Sequence, residues 1–303
     1  MCRSFGQSVC DSCSCFASLS SLDNRSANHY IRFKEEDNQY CLVRSKEERM
    51  AYKIKHYGWT PDLPDHRDHL FAAPFAVLQQ LPTSVDLRKQ CPPVYDQGEL
   101  GSCTANAIGA AMEFERMKQG SQDFMPSRLF IYYNERVMEG TVASDSGAQI
   151  RDGIKSVGAQ GVCPESEWPY DIAQFATEPG PQCYADAIKD KAVLYQRLSH
   201  NLNQMKGCLA SGYPFVFGFT VYDSFESQDV AKTGVAPMPQ TGEQTLGGHA
   251  VLAVGYDDGQ QRFIVRNSWG TGWGMQGYFT LPYAYLIDSN LADDYWTIRL
   301  VSK

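Results

Sequence analysis

Long apolar runs are missing from this sequence. No stretch of its 303 residues is long and apolar enough to cross a bilayer. The opening, MCRSFGQSVCDSCSCFASLSS, has no apolar run of about 7–15 residues after Arg3, the central feature of a secretory leader. A leader and a membrane span are therefore unsupported, and the composition suits a soluble protein. Basic blocks are absent too, and with a net charge of -8 the chain has no cluster that could neutralise phosphates. Nucleic acid is not an expected partner. There is no internal repeat, and no second cysteine pair at a metal-site spacing accompanies C-x-x-C-x-C at Cys10, Cys13 and Cys15. Zinc held there with Cys2 is the minor reading, and a reactive-thiol tail the major one.

What is present is enough apolar residue, 43%, to bury a core along most of the chain. Near the start, 29–33 (HYIRF) and 39–43 (QYCLV) read as two strands, followed by a capping box, Ser45-x-x-Glu48, for a helix to about Lys55. Pro61, Pro64 and Pro74 then prevent a long regular element, so 57–74 reads as a tether crossing a surface. From Leu81 onward the pattern predicts helices at 104–119, 127–139, 148–158 and 201–210. Strands follow at 214–221, 249–256, 262–267, 277–281 and 295–300. Helices segregated from a later antiparallel sheet imply an α+β fold with two lobes and a cleft between them.

The chemistry centres on DQGELGSCTANA (96–107). Small and apolar residues after Cys103 recur at helical spacing, which puts this cysteine at a helix N-terminus, where free amides and the helix dipole favour a thiolate. A packed, inert thiol would be the default reading of one buried cysteine. Two later motifs answer it. His249 opens the strand in GGHAVLAVGYDD, Asn267 ends the next in RFIVRNSWGTGWG, and the short turn at Asp258-Gly259 pairs these strands antiparallel. His249 and Asn267 then become neighbours. A thiol needs a base, and the base needs a group that fixes its ring; Cys103, His249 and Asn267 supply these in turn. Gln97, six residues before Cys103, could donate to an oxyanion together with the Cys103 backbone N–H.

Gln97-x5-Cys103, His249 in GGHAVLAVGY and Asn267 in RNSWGTGWGMQGY resemble the papain and cathepsin family of cysteine peptidases, and LPTSVDLRKQ (81–90) is similar to the start of its mature enzymes. The resemblance covers 81–300. It implies a helical left lobe carrying Cys103 and an antiparallel, β-barrel-like right lobe carrying His249 and Asn267. It further implies that Trp269 screens the His249–Asn267 bond at the substrate side, that Gly147 pairs with substrate backbone, and that a specificity pocket draws on 284–292. Residues 1–80 occupy the place of a propeptide ahead of a catalytic domain at 81–303, positioned to lie in the cleft in cis. The expected activity is endopeptidase cleavage of proteins or peptides without metal or organic cofactor. A silent peptide-binding or inhibitory scaffold, an exopeptidase and an acyl transferase are the alternatives; a carboxydipeptidase is disfavoured because 170–184 lacks a long histidine-bearing occluding loop.

The chain also departs from the pattern. Leu100 stands where relatives commonly have a cysteine, and ASDSGAQIRDG (143–153) lacks the cysteine that would pair with it. Cys163 and Cys183 thereby lose their most obvious partners, and Thr104 replaces a tryptophan beside Cys103. A lysosomal or secreted, disulfide-built enzyme is correspondingly less supported.

Overall fold

The computed structural model describes residues 30–34, 40–44 and 57–302. The chain forms two compact units, Met1–Arg49 and Met50–Lys303. In the first, β1 (Tyr30–Lys34) and β2 (Tyr40–Arg44) form the expected antiparallel hairpin, one residue later than the sequence pattern places it. The N-terminal cysteine cluster and the helix expected at 45–55 lie outside the described residues.

In the second unit, α2 (Cys103–Lys118) is buried from Cys103 through Arg116. Its alanines and Gly109 leave a slim cylinder, and a helix enclosed on all sides belongs to the interior. Around it stand α3 (Arg128–Glu139) and α4 (Ile150–Ala159). Ser127 caps α3 by accepting from the Phe130 amide, and Gly140 ends it with φ 72°, a left-handed conformation glycine adopts without penalty.

A seven-stranded antiparallel sheet packs against these helices. Its strands are β3 (Ser84–Asp86), β4 (Ala192–Arg197), β5 (Phe215–Tyr222), β6 (Thr245–Asp257), β7 (Arg262–Arg266), β8 (Tyr278–Pro282) and β9 (Ala292–Val301). The order is β4-β9-β5-β6-β7-β8, with β3 on β6. β5 and β6 read as near-continuous apolar runs because both of their faces are covered. Phe215, Phe217, Phe219, Phe263 and Phe279 are fully buried in this lobe, and burying each such ring contributes roughly 1.5–3 kcal/mol.

The expected α+β segregation is found, and the long elements fall within a few residues of their sequence ranges. Among the short elements the sequence pattern does not reveal are β4 and the helices α1 (Phe75–Gln79), α5 (Pro181–Ala187), α7 (Gln228–Thr233) and α8 (Tyr283–Leu286). Helices of four to seven residues are too short to set up a readable period. β4 at the sheet edge exposes Val193 and Leu194 together, so it never alternates. The remaining helix, α6 (Leu202–Ala210), is capped by Asn201.

Candidate active site

Cys103 is the first residue of α2, with 0% exposure. The backbone amides of Ala250 and Gly58 lie against its sulfur, and burial pushes the thiol from its ordinary value near 9 up to about 12. Ala250 follows His249 in β6, so the sheet brings the histidine's own strand to the helix N-terminus.

His249 and Asn267 meet as the strand pairing requires. Leu252 in β6 is opposite Arg266 in β7; His249 lies three residues before the one and Asn267 one residue after the other. His249 Nε2 is 2.8 Å from Asn267 Oδ1, and the same oxygen accepts the Ser268 backbone N–H at 2.8 Å. A backbone N–H can only donate, so this atom of Asn267 is the carbonyl oxygen, and Nε2 must carry the ring proton. The lone pair is therefore on Nδ1, which makes no hydrogen bond among the described residues. Burial depresses the imidazole to about 4, against the opposing pull of Asn267. Trp269 stacks on the ring with centroids 5.0 Å apart and is itself buried, closing one face to water.

Gln97 is buried and held at both ends of its side chain. Its Nε2 donates to the Leu100 carbonyl at 2.9 Å, and its Oε1 accepts from Ser268 Oγ at 2.5 Å. The Gln97 amide also donates to the Ser268 carbonyl, and Tyr170 Oη donates to the Gln97 carbonyl, both at 2.9 Å. Ser268 thus ties the loop before α2 to the strand end bearing Asn267. Its sequence signal was only its place in RNSW.

Leu100 is a buried core residue, and beside it the Gly101 N–H donates to Asp145 Oδ1 and Oδ2 at 3.0 and 3.1 Å. Tyr132 Oη donates to the same carboxylate. Hydrogen bonds to Asp145 therefore join the two loops where the family resemblance implies a disulfide. Thr104 is absorbed as well: its hydroxyl donates to Glu135 of α3 at 2.5 Å, and burial raises that carboxyl far above its usual range.

The tether at 57–74 runs across these residues. The ring of Tyr57 lies edge-on to His249 at 5.8 Å and tilted to Trp269 at 6.3 Å. Gly58 passes so close to the helix start that a Cβ there would sit 1.7 Å from the Gly101 carbonyl oxygen. Its own carbonyl accepts from Ala148 N at 2.8 Å, and Thr60 N donates to Ala148 O at 3.1 Å. Ala148, and not Gly147, makes this backbone pairing. Gly147, with φ +72°, contributes by its missing side chain, since a Cβ would be 2.0 Å from Gly58 O.

Trp59 fills a buried pocket between Gly218, Gly248 and Asp294. Its backbone N donates to Gly248 O at 2.8 Å, and its Nε1 to Asp294 Oδ2 at 3.1 Å. Asp62 follows; its amide reaches Asp294 Oδ2 at 2.7 Å, and its carboxylate accepts from Arg151 N and Trp296 Nε1, each at 3.0 Å. Asp294 lies just beyond 284–292, the region from which the resemblance implies a specificity pocket is drawn. Nothing in the prolines of 57–74 indicated this path.

A family model described as papain family cysteine protease matches residues 81–293. The chain is a papain-family cysteine peptidase. This peptidase is 44% identical over 273 residues to an uncharacterized peptidase C1-like protein of Acanthamoeba polyphaga mimivirus, a match covering 82% of this chain and 88% of that one. A match to a cathepsin L-like peptidase of Aedes aegypti, 28% identical, takes in 66% of this chain and 58% of that relative. Among solved structures the peptidase is similar to xylellain, a cysteine protease from Xylella fastidiosa. The TM-score is 0.76, with 46% identity, and 82% of this chain and 97% of that one are covered. Digestive procathepsin L 3 of Tenebrio molitor shares the fold, with TM-score 0.62, 22% identity, and 86% and 79% covered.

Proposed function

We propose that the peptidase is an endopeptidase acting through Cys103, His249, Asn267 and Gln97, and that it is made as a zymogen whose residues 57–62 close the cleft in cis. The observation that carries the catalytic assignment is the polarity of the His249–Asn267 bond. It leaves a lone pair on Nδ1, which can take the thiol proton, while Cys103 stands at a helix N-terminus that favours the thiolate. The sulfur attacks the scissile carbonyl, and the Cys103 N–H and a Gln97 amide N–H stabilise the oxyanion. His249 then protonates the leaving amine, and water resolves the acyl-enzyme. Asn267 positions the ring.

The zymogen reading draws support from the backbone of Gly58 lying on the sulfur, and from Trp59 seated in the adjoining pocket. With the strap in place, thiol and imidazole are both buried and neutral, so the nucleophile is not formed.

The decisive assay uses peptides blocked at both ends and protein freed of residues 1–80. Internal cleavage is expected; trimming of unblocked peptides alone would sink the endopeptidase assignment. In the same assay Gln97→Ala should lower kcat by roughly 10- to 1000-fold, as loss of one oxyanion donor does. An unchanged kcat removes Gln97 from that role. Asn267→Ala should cost less than His249→Ala, because the base survives.

A further inference from the structure

Cys163 and Cys183 have none of the partners the family resemblance suggested, yet the fold brings them together. Their sulfurs and a Glu167 carboxylate oxygen all lie within 4.8 Å of one another, with both cysteines buried and Glu167 exposed. Cys163 ends the segment after α4 and Cys183 lies in α5, so the two close a loop over 164–182.

That loop braces the oxyanion side of the site. Glu165 forms a two-pronged pair with Arg128, Nε to Oε2 at 2.8 Å and Nη2 to Oε1 at 2.7 Å. Arg128 Nη1 in turn reaches the Asp96 carbonyl at 3.0 Å and Asn106 Oδ1 at 3.1 Å. The Trp168 carbonyl accepts from the α3 cap Ser127 at 2.7 Å. Tyr170 meets Ser102 Oγ and donates to the Gln97 carbonyl.

We propose that Cys163 and Cys183 are an oxidisable pair that forms an intramolecular disulfide, pinning both ends of the loop that buttresses Gln97. The oxidant is a small-molecule disulfide. One cysteine thiolate attacks it, forming a mixed disulfide and releasing one thiol. The second cysteine thiolate then attacks the protein sulfur of that mixed disulfide, releasing the second thiol. Two protein thiols and one disulfide become one protein disulfide and two small thiols. Burial and the neighbouring sulfur hold the Cys163 thiol protonated, which makes the exchange slow at neutral pH.

The full chain carrying Cys103→Ser, which removes self-digestion and a competing thiol, should be equilibrated in graded ratios of oxidised to reduced glutathione. It is then acid-quenched, alkylated and digested without reduction. The expected product is a Cys163–Cys183 linked peptide, lighter than its parts by two hydrogens. Oxidised protein should melt about 6–12 °C above reduced protein, the range for closing a loop of this size in a domain of this size. Because this comparison uses one protein in two redox states, it stands even if Cys163→Ala fails to fold; Cys183→Ala should lose both signals. Independent alkylation of both thiols at every ratio would overturn the proposal. So would stable glutathione adducts, linkage to another cysteine, or zinc protection of thiols that never couple.

Discussion

Cys103→Ala should lose turnover by about 10⁴- to 10⁶-fold, the scale on which removing a nucleophile that acts as a unit with its base reduces kcat. The fold should survive, because the substitution removes one sulfur from a fully buried site and leaves the helix start with its best helix former. The check is intact mass against time for the full chain in reductant, at mildly acidic and neutral pH, beside the variant. Cleavage near 75–85 is expected in the active protein alone. That window includes α1, where Phe75 is 75% exposed and no residue is buried. Cleavage by Cys103→Ala at the wild-type rate would overturn the nucleophile assignment. If the full chain stays whole while its strap-free form cleaves peptides, residues 1–80 are a lasting part of the molecule.

Gly58→Ala should open the site without any proteolysis. A methyl group there meets the backbone carbonyl oxygen of Gly101 at 1.7 Å, and no side-chain rotation can relieve it. The strap must lift away, taking Trp59 out of its pocket. The expected result is a gain in peptide hydrolysis by the uncut chain of about 100-fold, the scale of a two-state equilibrium moved by a few kcal/mol.

The pH dependence of alkylation gives a second readout. Burial raises the Cys103 thiol to about 12 and lowers His249 to about 4 in the closed chain. A raised thiol stays protonated, so closed wild-type protein should react at Cys103 only as the pH climbs past 9. A depressed imidazole stays neutral, so no imidazolium is available at neutral pH to lower the thiol. Solvation reverses both effects. In Gly58→Ala, alkylation should therefore already proceed at neutral pH, and identical profiles for the two proteins would sink the strap proposal.

Cys103, His249 and Asn267 were legible because each lies in or directly beside an element with a strong pattern. β6 and β7 are joined by a short turn, so their pairing alone determined that His249 and Asn267 would meet. The helical period after Cys103 placed that residue at an N-terminus. Less could be read where position depends on side chains meeting across the fold. Ser268 reaches Gln97 from 171 residues away, and Asp145 joins two loops by accepting an amide, which no spacing rule encodes. The tether is irregular, and irregular backbone carries no period to say where it runs. Trp59 finds its pocket through two glycines and Asp294, drawn from β5, β6 and β9.

In the uncut chain the strap is continuous with a stretch anchored in the domain. Phe71 and Ala73 are buried, the Phe71 amide bonds to the Arg197 carbonyl, and the Ala73 amide to Gln204. Between strap and anchor lies an exposed stretch, with Leu63 72% and Leu70 65% exposed. A tethered segment meets its site at an effective concentration in the millimolar range, so even modest intrinsic affinity keeps it seated. One cut between the strap and the catalytic domain would turn a local concentration into a bulk one. The severed piece would then diffuse away and be lost by dilution, making the opening irreversible.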